Sequence, residues 1–241
     1  MVTRPRVMKG VVLAAGVGRR LRPMTLGRPK VLLPVRDKPL ISYPIEALVS
    51  AGITEIAVVV GYQAPTVMAE LGDGSRFGGR LKYVVNPHYW GGNALSVRCL
   101  KQWTAGEPFV LCMGDHIIEP ALVSRLLATS FITETLCVDL ALREGYQAAE
   151  ATKVLVDARG CIQRIGKELI SWNALDTGAF LLTHRFIEAI EELFPERGFA
   201  VEISDVIRWL VSRGHRFATC EVTGCFWADV DTEEDFNLVG A

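Results

Sequence analysis

Short apolar runs alternate in the first half of the chain with stretches whose apolar residues recur at helical spacing. The runs are continuous rather than alternating in polarity, which is typical of strands buried on both faces of a parallel sheet. We therefore predict an α/β fold with a doubly wound, mostly parallel, Rossmann-like sheet. The predicted strands cover residues 10–14, 55–60, 81–85 and 109–113, and the predicted helices cover residues 39–50 and 93–103.

The second half of the chain changes character, because turns rather than helical stretches separate its apolar runs. Arg159-Gly160 marks a hairpin turn between two of these runs. Two helices are predicted at residues 184–193 and 201–212, and Thr232 begins a final helix with acidic residues in its first turn. The predicted strands cover residues 135–142, 153–156, 162–165, 179–182 and 217–222.

The composition of the chain narrows the class of protein. Its 241 residues, half of them hydrophobic, suit one large domain, which we assign to residues 1–241. The net charge of −1 provides no general basic field, so we expect no nucleic-acid partner. No apolar stretch resembles a signal peptide or a membrane span, so we expect a cytoplasmic protein without direct membrane insertion. The six cysteines lack metal-ligand spacing and are expected to be reduced thiols.

A glycine pair, Gly16-x-Gly18, follows the first predicted strand. Loops of this kind bring backbone N–H groups against phosphate. Leu21 replaces the third glycine of a dinucleotide-binding fingerprint, and the Gly-Lys-Ser/Thr ending of a P-loop is missing from this loop. The basic residues that follow suit a triphosphate instead, since the guanidinium of Arg20 can bind two phosphate oxygens and Lys30 adds a compact charge.

The chain resembles the nucleotidyltransferase superfamily in the motif Leu13-Ala14-Ala15-Gly16-x-Gly18-x-Arg20-Leu21 followed by Pro29-Lys30-x-Leu32-x-Pro34-Val35. That superfamily includes sugar-phosphate nucleotidyltransferases, cytidylyltransferases and molybdopterin guanylyltransferases. The resemblance implies that Arg20 binds the β- and γ-phosphates and that Lys30 stabilises charge on the α-phosphate. The superfamily commonly has Thr or Ser at position 19, so no role is assigned to Arg19. The implied nucleotide-binding residues of the loop are Leu13, Ala14, Ala15, Gly16 and Gly18.

Two aspartates are candidates for holding the divalent cation that triphosphate chemistry requires. Asp115 follows a predicted strand, and Asp229 precedes the last helix. Taken singly, each suits a turn-capping role as well. The resemblance implies that they are the two metal ligands, with Mg²⁺ as the cofactor. Asp231 either caps the helix that begins at Thr232 or supports the metal ligands without binding the ion itself. We expect His116 to be neutral.

A set of motifs between Gly92 and Thr232 gives information about the acceptor substrate. As a set they resemble the cytidylyltransferase domain of inositol-1-phosphate cytidylyltransferases. The segment that holds Asn93 and Ser96 is similar to the Asn-x-x-Ser segments of cytidylyltransferases that act on phospho-alcohols such as phosphocholine and inositol phosphate. The resemblance implies that Asn93 and Ser96 belong to the nucleotide side. The set comprises Gly92-Asn93-Ala94-Leu95-Ser96, Met113-Gly114-Asp115-His116, Glu150-Ala151-Thr152-Lys153-Val154, Ile165-Gly166-Lys167, Asp176-Thr177-Gly178-x-Phe180 and Trp227-x-Asp229-Val230-Asp231-Thr232.

Four further residues of the second half are candidates for binding the acceptor. Lys153 and Lys167 are candidates for its phosphate, because both lie on strands expected to face the cleft. Glu150 and Asp176 either accept hydrogen bonds from acceptor hydroxyls or are plain turn and surface carboxylates. Residues 1–115 would then bind the nucleotide, and residues 116–241 would bind the acceptor and supply the second metal ligand.

The sequence thus predicts a nucleotidyltransferase, and specifically a cytidylyltransferase that joins CTP and a phosphorylated alcohol, with inositol 1-phosphate favoured. The products are a CDP-alcohol and pyrophosphate. The alternatives are a sugar-1-phosphate nucleotidylyltransferase, a cytidylyltransferase for phosphocholine or a phosphonate, and an inactive nucleotide-sensing homologue. Because many relatives fuse this domain to a membrane-embedded transferase and this chain stops at Ala241, we expect another protein to perform the membrane step. The partners are otherwise small molecules, with a homodimer left open.

Overall fold

The computed structural model describes residues 8–21, 23–25, 27–129, 133–141 and 151–240. The strands in these ranges are β1 (Lys9–Ala14), β2 (Pro34–Val35), β3 (Lys38–Pro39), β4 (Glu55–Val60), β5 (Arg80–Val85), β6 (Phe109–Met113), β7 (His116–Ile118), β8 (Thr135–Asp139), β9 (Lys153–Val156), β10 (Ile162–Gly166), β11 (Ala174–Leu182), β12 (Ala218–Glu221) and β13 (Trp227–Asp229). The α-helices are α1 (Ser42–Ser50), α2 (Ala64–Leu71), α3 (Ala94–Arg98), α4 (Lys101–Thr104), α5 (Pro120–Leu127), α6 (His184–Arg197), α7 (Ile203–Ser212) and α8 (Glu233–Gly240).

The centre of the molecule is a parallel sheet in the strand order β6-β1-β4-β5. Successive residues of β1 point to opposite faces and enter two different apolar clusters, Val12 and Ala14 on one side and Val11 and Leu13 on the other. Helices cover both faces, with α1 and α5 in the first cluster and α6 and α7 in the second. The prediction of a doubly wound, mostly parallel α/β sheet is confirmed.

The second half extends this sheet through β11, which pairs antiparallel with β6. β9 and β8 also pair with β11, β10 pairs with β9, and β12 pairs with β8. β11 is longer than the predicted strand at 179–182, because a bulge between Asp176 and Phe180 lets it continue through polar residues. At this bulge Gly178 has φ = +76°, a conformation that favours glycine.

Some helix boundaries differ from the sequence prediction. The helix predicted at 39–50 begins at Ser42, because Lys38 and Pro39 pair with β2 in a short hairpin. The helix predicted at 93–103 is divided into α3 and α4, because the N–H of Leu100 binds the carbonyl of Val97, three residues back, and tightens the turn. No helix in the described ranges is both long and apolar enough to cross a membrane.

The sequence does not predict α2, α5 or the antiparallel pair formed by β7 and β13. Each of the two helices has proline in its first turn, which is a start signal, but each has only eight residues for a periodic pattern to show. β7 and β13 have three residues each, too few for a strand pattern. Their pairing sets Asp229 opposite His116, which brings the end of the chain back to the end of β6.

A buried hydrogen bond ties this returning segment to the main sheet. The indole Nε1 of Trp227, at the start of β13, donates to Oδ2 of Asp139 at the end of β8, with a distance of 2.9 Å. Asp139 Oδ1 also accepts from the backbone N–H of Ala141. Asp139 is only 2% exposed and Trp227 only 4%, so water has little access to the indole N–H if the carboxylate is removed.

We therefore expect Asp139→Ala to lower the free energy of unfolding by about 1–3 kcal/mol, the cost of losing the buried hydrogen bond to the Trp227 indole. Asp139→Asn keeps one acceptor oxygen and should cost less. Urea denaturation of the three proteins measures the difference. A wild-type free energy of unfolding for Asp139→Ala would contradict this role.

Candidate active site

A cleft of about 750 Å³ opens at the carboxyl edge of β1 and β6, where ligands bind in open α/β sheets. Its lining joins the two halves of the chain, from Leu13 and Gly16 to Asp176 and Asp229. A smaller cavity of about 210 Å³ adjoins it along the glycine loop. The smaller cavity is lined by Leu13, Ala14, Gly16, Gly18, Arg19, Arg20, Lys30, Val31, Asp115 and Asp231.

The glycine loop packs directly on Lys30. Gly18 has φ = +66°, and a Cβ atom built on it would lie 2.5 Å from Cβ of Lys30. A larger residue at position 18 would therefore push Lys30 out of place. The hydroxyl of Thr25 donates to the carbonyl of Gly18 at 3.1 Å and closes the loop.

Lys30 is a buried cation between two carboxylates. It is 5% exposed, and its Nζ lies 2.7 Å from Oδ2 of Asp115 and 2.5 Å from Oδ1 of Asp231. Burial alone lowers the pKa of Lys30, but Asp115, Asp231 and Asp229 together raise it above its ordinary value. The lysine is therefore charged at neutral pH. Arg20 forms an ion pair with the same Asp231.

The structure decides between the two roles left open for Asp231. Its side chain faces Lys30 and Arg20. The start of α8 is bound instead by Asp235, whose Oδ2 accepts from the backbone N–H groups of Asp231 and Thr232 at 3.0 and 2.8 Å. Asp231 thus belongs to the charged cluster rather than to the helix cap.

Asp115, His116 and Asp229 form a group that fits a divalent metal. One potential ligand atom from each lies within 4.8 Å of the other two. Oδ1 of Asp229 is buried, and no group in the described ranges donates a hydrogen bond to it. A buried carboxylate oxygen without a donor beside a second carboxylate is the ligand set that a hard cation takes.

The charges of this group depend on one another. Burial, with Asp115 and Asp231 nearby, raises the pKa of Asp229 to about 7, although His116 opposes the shift. Burial lowers the pKa of His116, but the carboxylates of Asp229 and Asp115 raise it overall, to about 9. When no metal is bound, these carboxylates therefore favour the protonated imidazole, whereas the sequence led us to expect a neutral ring. Lys30 lowers the pKa of Asp115 against the effect of burial.

The candidate acceptor residues are not all in the same place. Lys167 and Asp176 line the cleft. The Nζ of Lys153 donates instead to the carbonyl of Lys167 at 2.9 Å, so Lys153 supports the neighbouring lysine. Burial raises the pKa of Asp176 to about 6, and its Oδ1 accepts from the N–H of Gly178. Glu150 lies outside the described residues.

Asn93 and Ser96 line the cleft, but their side chains bind protein groups. Oδ1 of Asn93 accepts from the N–H of Ile203 at 2.7 Å, and Oε2 of Glu202 accepts from the N–H of Asn93 at 2.9 Å. The Ser96 hydroxyl accepts from Nδ2 of Asn86 at 3.0 Å. The two bonds of Asn93 join the segment at residues 86–96 to the start of α7, and the bond of Ser96 lies within that segment.

The sequence motifs did not indicate several residues that line the cleft, among them Asn86, Glu168, Glu202, Ser204 and Arg208. Glu202 and Asp205 form a capping box at the start of α7, a signal present in the sequence. That signal locates the helix start but does not show that it borders the cleft, which depends on how α7 packs against β10.

The chain is similar to known proteins over most of its length. A low-salt glycan biosynthesis nucleotidyltransferase of Haloferax volcanii is 34% identical over 95% of this chain and 64% of its own length. A bifunctional IPC transferase and DIPP synthase of Rubrobacter xylanophilus is 36% identical over 94% of this chain and 50% of its own length. This chain therefore spans about half to two thirds of these curated relatives.

This chain has the same fold as a solved structure over nearly the whole length of both proteins. The inositol-1-phosphate CTP transferase from T. maritima is 26% identical and superposes with a TM-score of 0.83, covering 97% of this chain and 96% of that one. The family model described as nucleotidyl transferase matches residues 9–239. The resemblance found in the motifs is thus confirmed, and the chain belongs to the nucleotidyl transferase family of enzymes.

Proposed function

We propose that the protein is a cytidylyltransferase that joins CTP and a phosphorylated alcohol, inositol 1-phosphate in preference, and releases pyrophosphate. The observation that carries the proposal is the position of Lys30. It is a buried, charged lysine at the point where the glycine loop meets the carboxylates of Asp115 and Asp231. A fixed cation beside a phosphate-binding loop and a metal-binding group is what nucleotidyl transfer requires.

In this mechanism an oxygen of the acceptor's phosphate attacks the α-phosphorus of CTP in line, and pyrophosphate leaves. The attacking phosphate is ionised at neutral pH, so the step needs no general base. The glycine loop binds the nucleotide through its backbone N–H groups. Lys30 stabilises charge on the α-phosphate. Arg20 leaves its ion pair with Asp231 and binds the outer phosphates.

Asp115 and Asp229 would hold the metal ion, with Mg²⁺ as the expected cation in the cell. When bound, the ion would neutralise part of the negative charge on the phosphates. Residues 1–115 would form the nucleotide half, and residues 116–241 the acceptor half with Asp229. The cleft between them is lined by both, which supports this division.

The acceptor part of the cleft favours a molecule rich in hydroxyl groups. Glu168, Asp176 and Glu202 line it, and carboxylates accept hydrogen bonds from hydroxyls. Lys167 provides a cation for the acceptor's phosphate. Phosphocholine offers no hydroxyl donor to these carboxylates. The likeness to an inositol-1-phosphate CTP transferase supports the same acceptor.

A sugar 1-phosphate is the second candidate acceptor. It offers the same hydroxyl groups to the same carboxylates, and the Haloferax volcanii relative carries a name from glycan biosynthesis. In that case the nucleotide would be a uridine, thymidine or guanosine triphosphate.

Pyrophosphate release across a panel of substrates tests the proposal. We expect release with CTP and inositol 1-phosphate, and little with glucose 1-phosphate or phosphocholine. Release with UTP, dTTP or GTP and glucose 1-phosphate would establish the sugar alternative. Release with CTP and phosphocholine or a phosphonate would change the acceptor only, and no release with any pair would contradict the proposal.

Lys30→Ala is expected to lower turnover about 100- to 1,000-fold, because it removes a preorganised charge from the reacting phosphate. Lys38→Ala is the matched control, since Lys38 lies on the same segment and forms an ion pair with Glu46 away from the cleft. The control should stay within about twofold of wild type, as expected for a surface pair. Thermal unfolding verifies that both variants fold. Near wild-type pyrophosphate release by folded Lys30→Ala would refute the assignment.

Two neighbouring lysines should differ in their effect on the acceptor. Lys167→Ala should raise the acceptor KM about 10- to 100-fold, the loss of affinity expected when a charge-assisted hydrogen bond is removed. It should leave the CTP KM nearly unchanged. Lys153→Ala removes only the support of the Lys167 carbonyl and should have a smaller effect. Initial-rate kinetics with each substrate varied separate the two. A larger effect for Lys153→Ala would reverse their roles.

A further inference from the structure

His116 has no role in the mechanism above, yet it lies between the two aspartates assigned to the metal. Its Nδ1 is 3.1 Å from Oδ1 of Asp115 and 3.7 Å from Oδ1 of Asp229. The second of these oxygens is the buried one that accepts no hydrogen bond within the described residues. One potential ligand atom from each of the three residues, an imidazole nitrogen and two carboxylate oxygens, thus lies within 4.8 Å of the other two.

The spacing of these atoms fits direct coordination of one small ion. Ligand atoms about 2.1 Å from a metal are about 3.0 Å apart at neighbouring octahedral positions and about 3.4 Å apart in a tetrahedron. The two distances from Nδ1 are close to these values. An ion that contacts both aspartates would therefore lie within bonding distance of the imidazole after small side-chain shifts.

The imidazole ring is fixed in this direction by its surroundings. His116 is 8% exposed and is paired with Asp229 in the β7–β13 register. Its ring packs on Gly178, where a Cβ atom would lie 2.5 Å from Cδ2 of the ring. The bulge of β11 therefore provides the space that the ring occupies, and Nδ1 stays directed at the two carboxylates.

We propose that Nδ1 of His116 is the third protein ligand of the metal and gives the site a preference for Mn²⁺ or Co²⁺ over Mg²⁺. This inference rests on the proposed function, in which Asp115 and Asp229 hold the ion. Imidazole is a poor ligand for Mg²⁺, whereas transition metals bind it well. Coordination releases the Nδ1 proton to solvent, because only the unprotonated nitrogen has a free electron pair for the ion.

Pulsed electron paramagnetic resonance of Mn²⁺ bound to the whole protein, with and without CTP, tests the proposal without measuring activity. A directly bound imidazole modulates the Mn²⁺ spin echo through its ¹⁴N nucleus. We expect this modulation in the wild-type protein and its replacement by the ¹⁵N pattern when only histidine is labelled with ¹⁵N. This measurement needs no variant.

Two substitutions make the assignment specific. His116→Asn should abolish the nitrogen modulation and weaken Mn²⁺ binding at least about tenfold, with Mg²⁺ binding much less affected. His184→Gln is the matched control, because His184 also lies beside a carboxylate, Glu188, but on α6. The control should retain both the modulation and the Mn²⁺ affinity.

The outcomes separate this proposal from the proposed function. Mn²⁺ binding that is lost in Asp115→Asn and Asp229→Asn but shows no nitrogen modulation in wild type would refute the role of His116 and leave the metal site intact. Mn²⁺ binding that survives both aspartate substitutions, or no Mn²⁺ binding with or without CTP, would overturn the metal site and this proposal together.

Discussion

The burial of Lys30 between carboxylates is the interaction on which the rest of the site depends. A buried ammonium is costly unless it is paired, and Asp115 and Asp231 provide the pairing from distant parts of the chain. Each partner is therefore constrained by the others. Removing Lys30 would leave neighbouring carboxylates in mutual repulsion, and removing the carboxylates would leave a buried cation. The site is preorganised by the same charges that would act on phosphate.

This cluster requires three segments of the fold to end at one place. β1 leads into the glycine loop, β6 ends just before Asp115, and the β7–β13 pair returns the C-terminal part of the chain with Asp229 and Asp231. The Trp227–Asp139 hydrogen bond fixes that return against the main sheet. The sheet therefore contributes to function by the position at which its strands stop, since ligands of such folds bind at the carboxyl edge.

The sequence predicted the parallel half of the sheet because its buried strands are continuous apolar runs, and it predicted the charged loop because Gly16, Gly18, Arg20 and Lys30 lie within one short segment. It did not distinguish Lys153 from Lys167. Lys153 lies on β9 and binds the carbonyl of Lys167, whereas Lys167 follows β10 and lines the cleft. The pairing of β7 with β13 joins residues more than a hundred positions apart. Local patterns do not record such contacts, so the surroundings of His116 and Asp231 emerged only from the fold.

The proposed mechanism requires the α-phosphate of the nucleotide to lie against Lys30. A crystal structure with CTP and a divalent metal measures this directly. We expect an α-phosphate oxygen within about 3.2 Å of Lys30 Nζ, with Arg20 turned from Asp231 to the outer phosphates. A triphosphate bound elsewhere in the cleft, with Lys30 still held by Asp115 and Asp231, would contradict it.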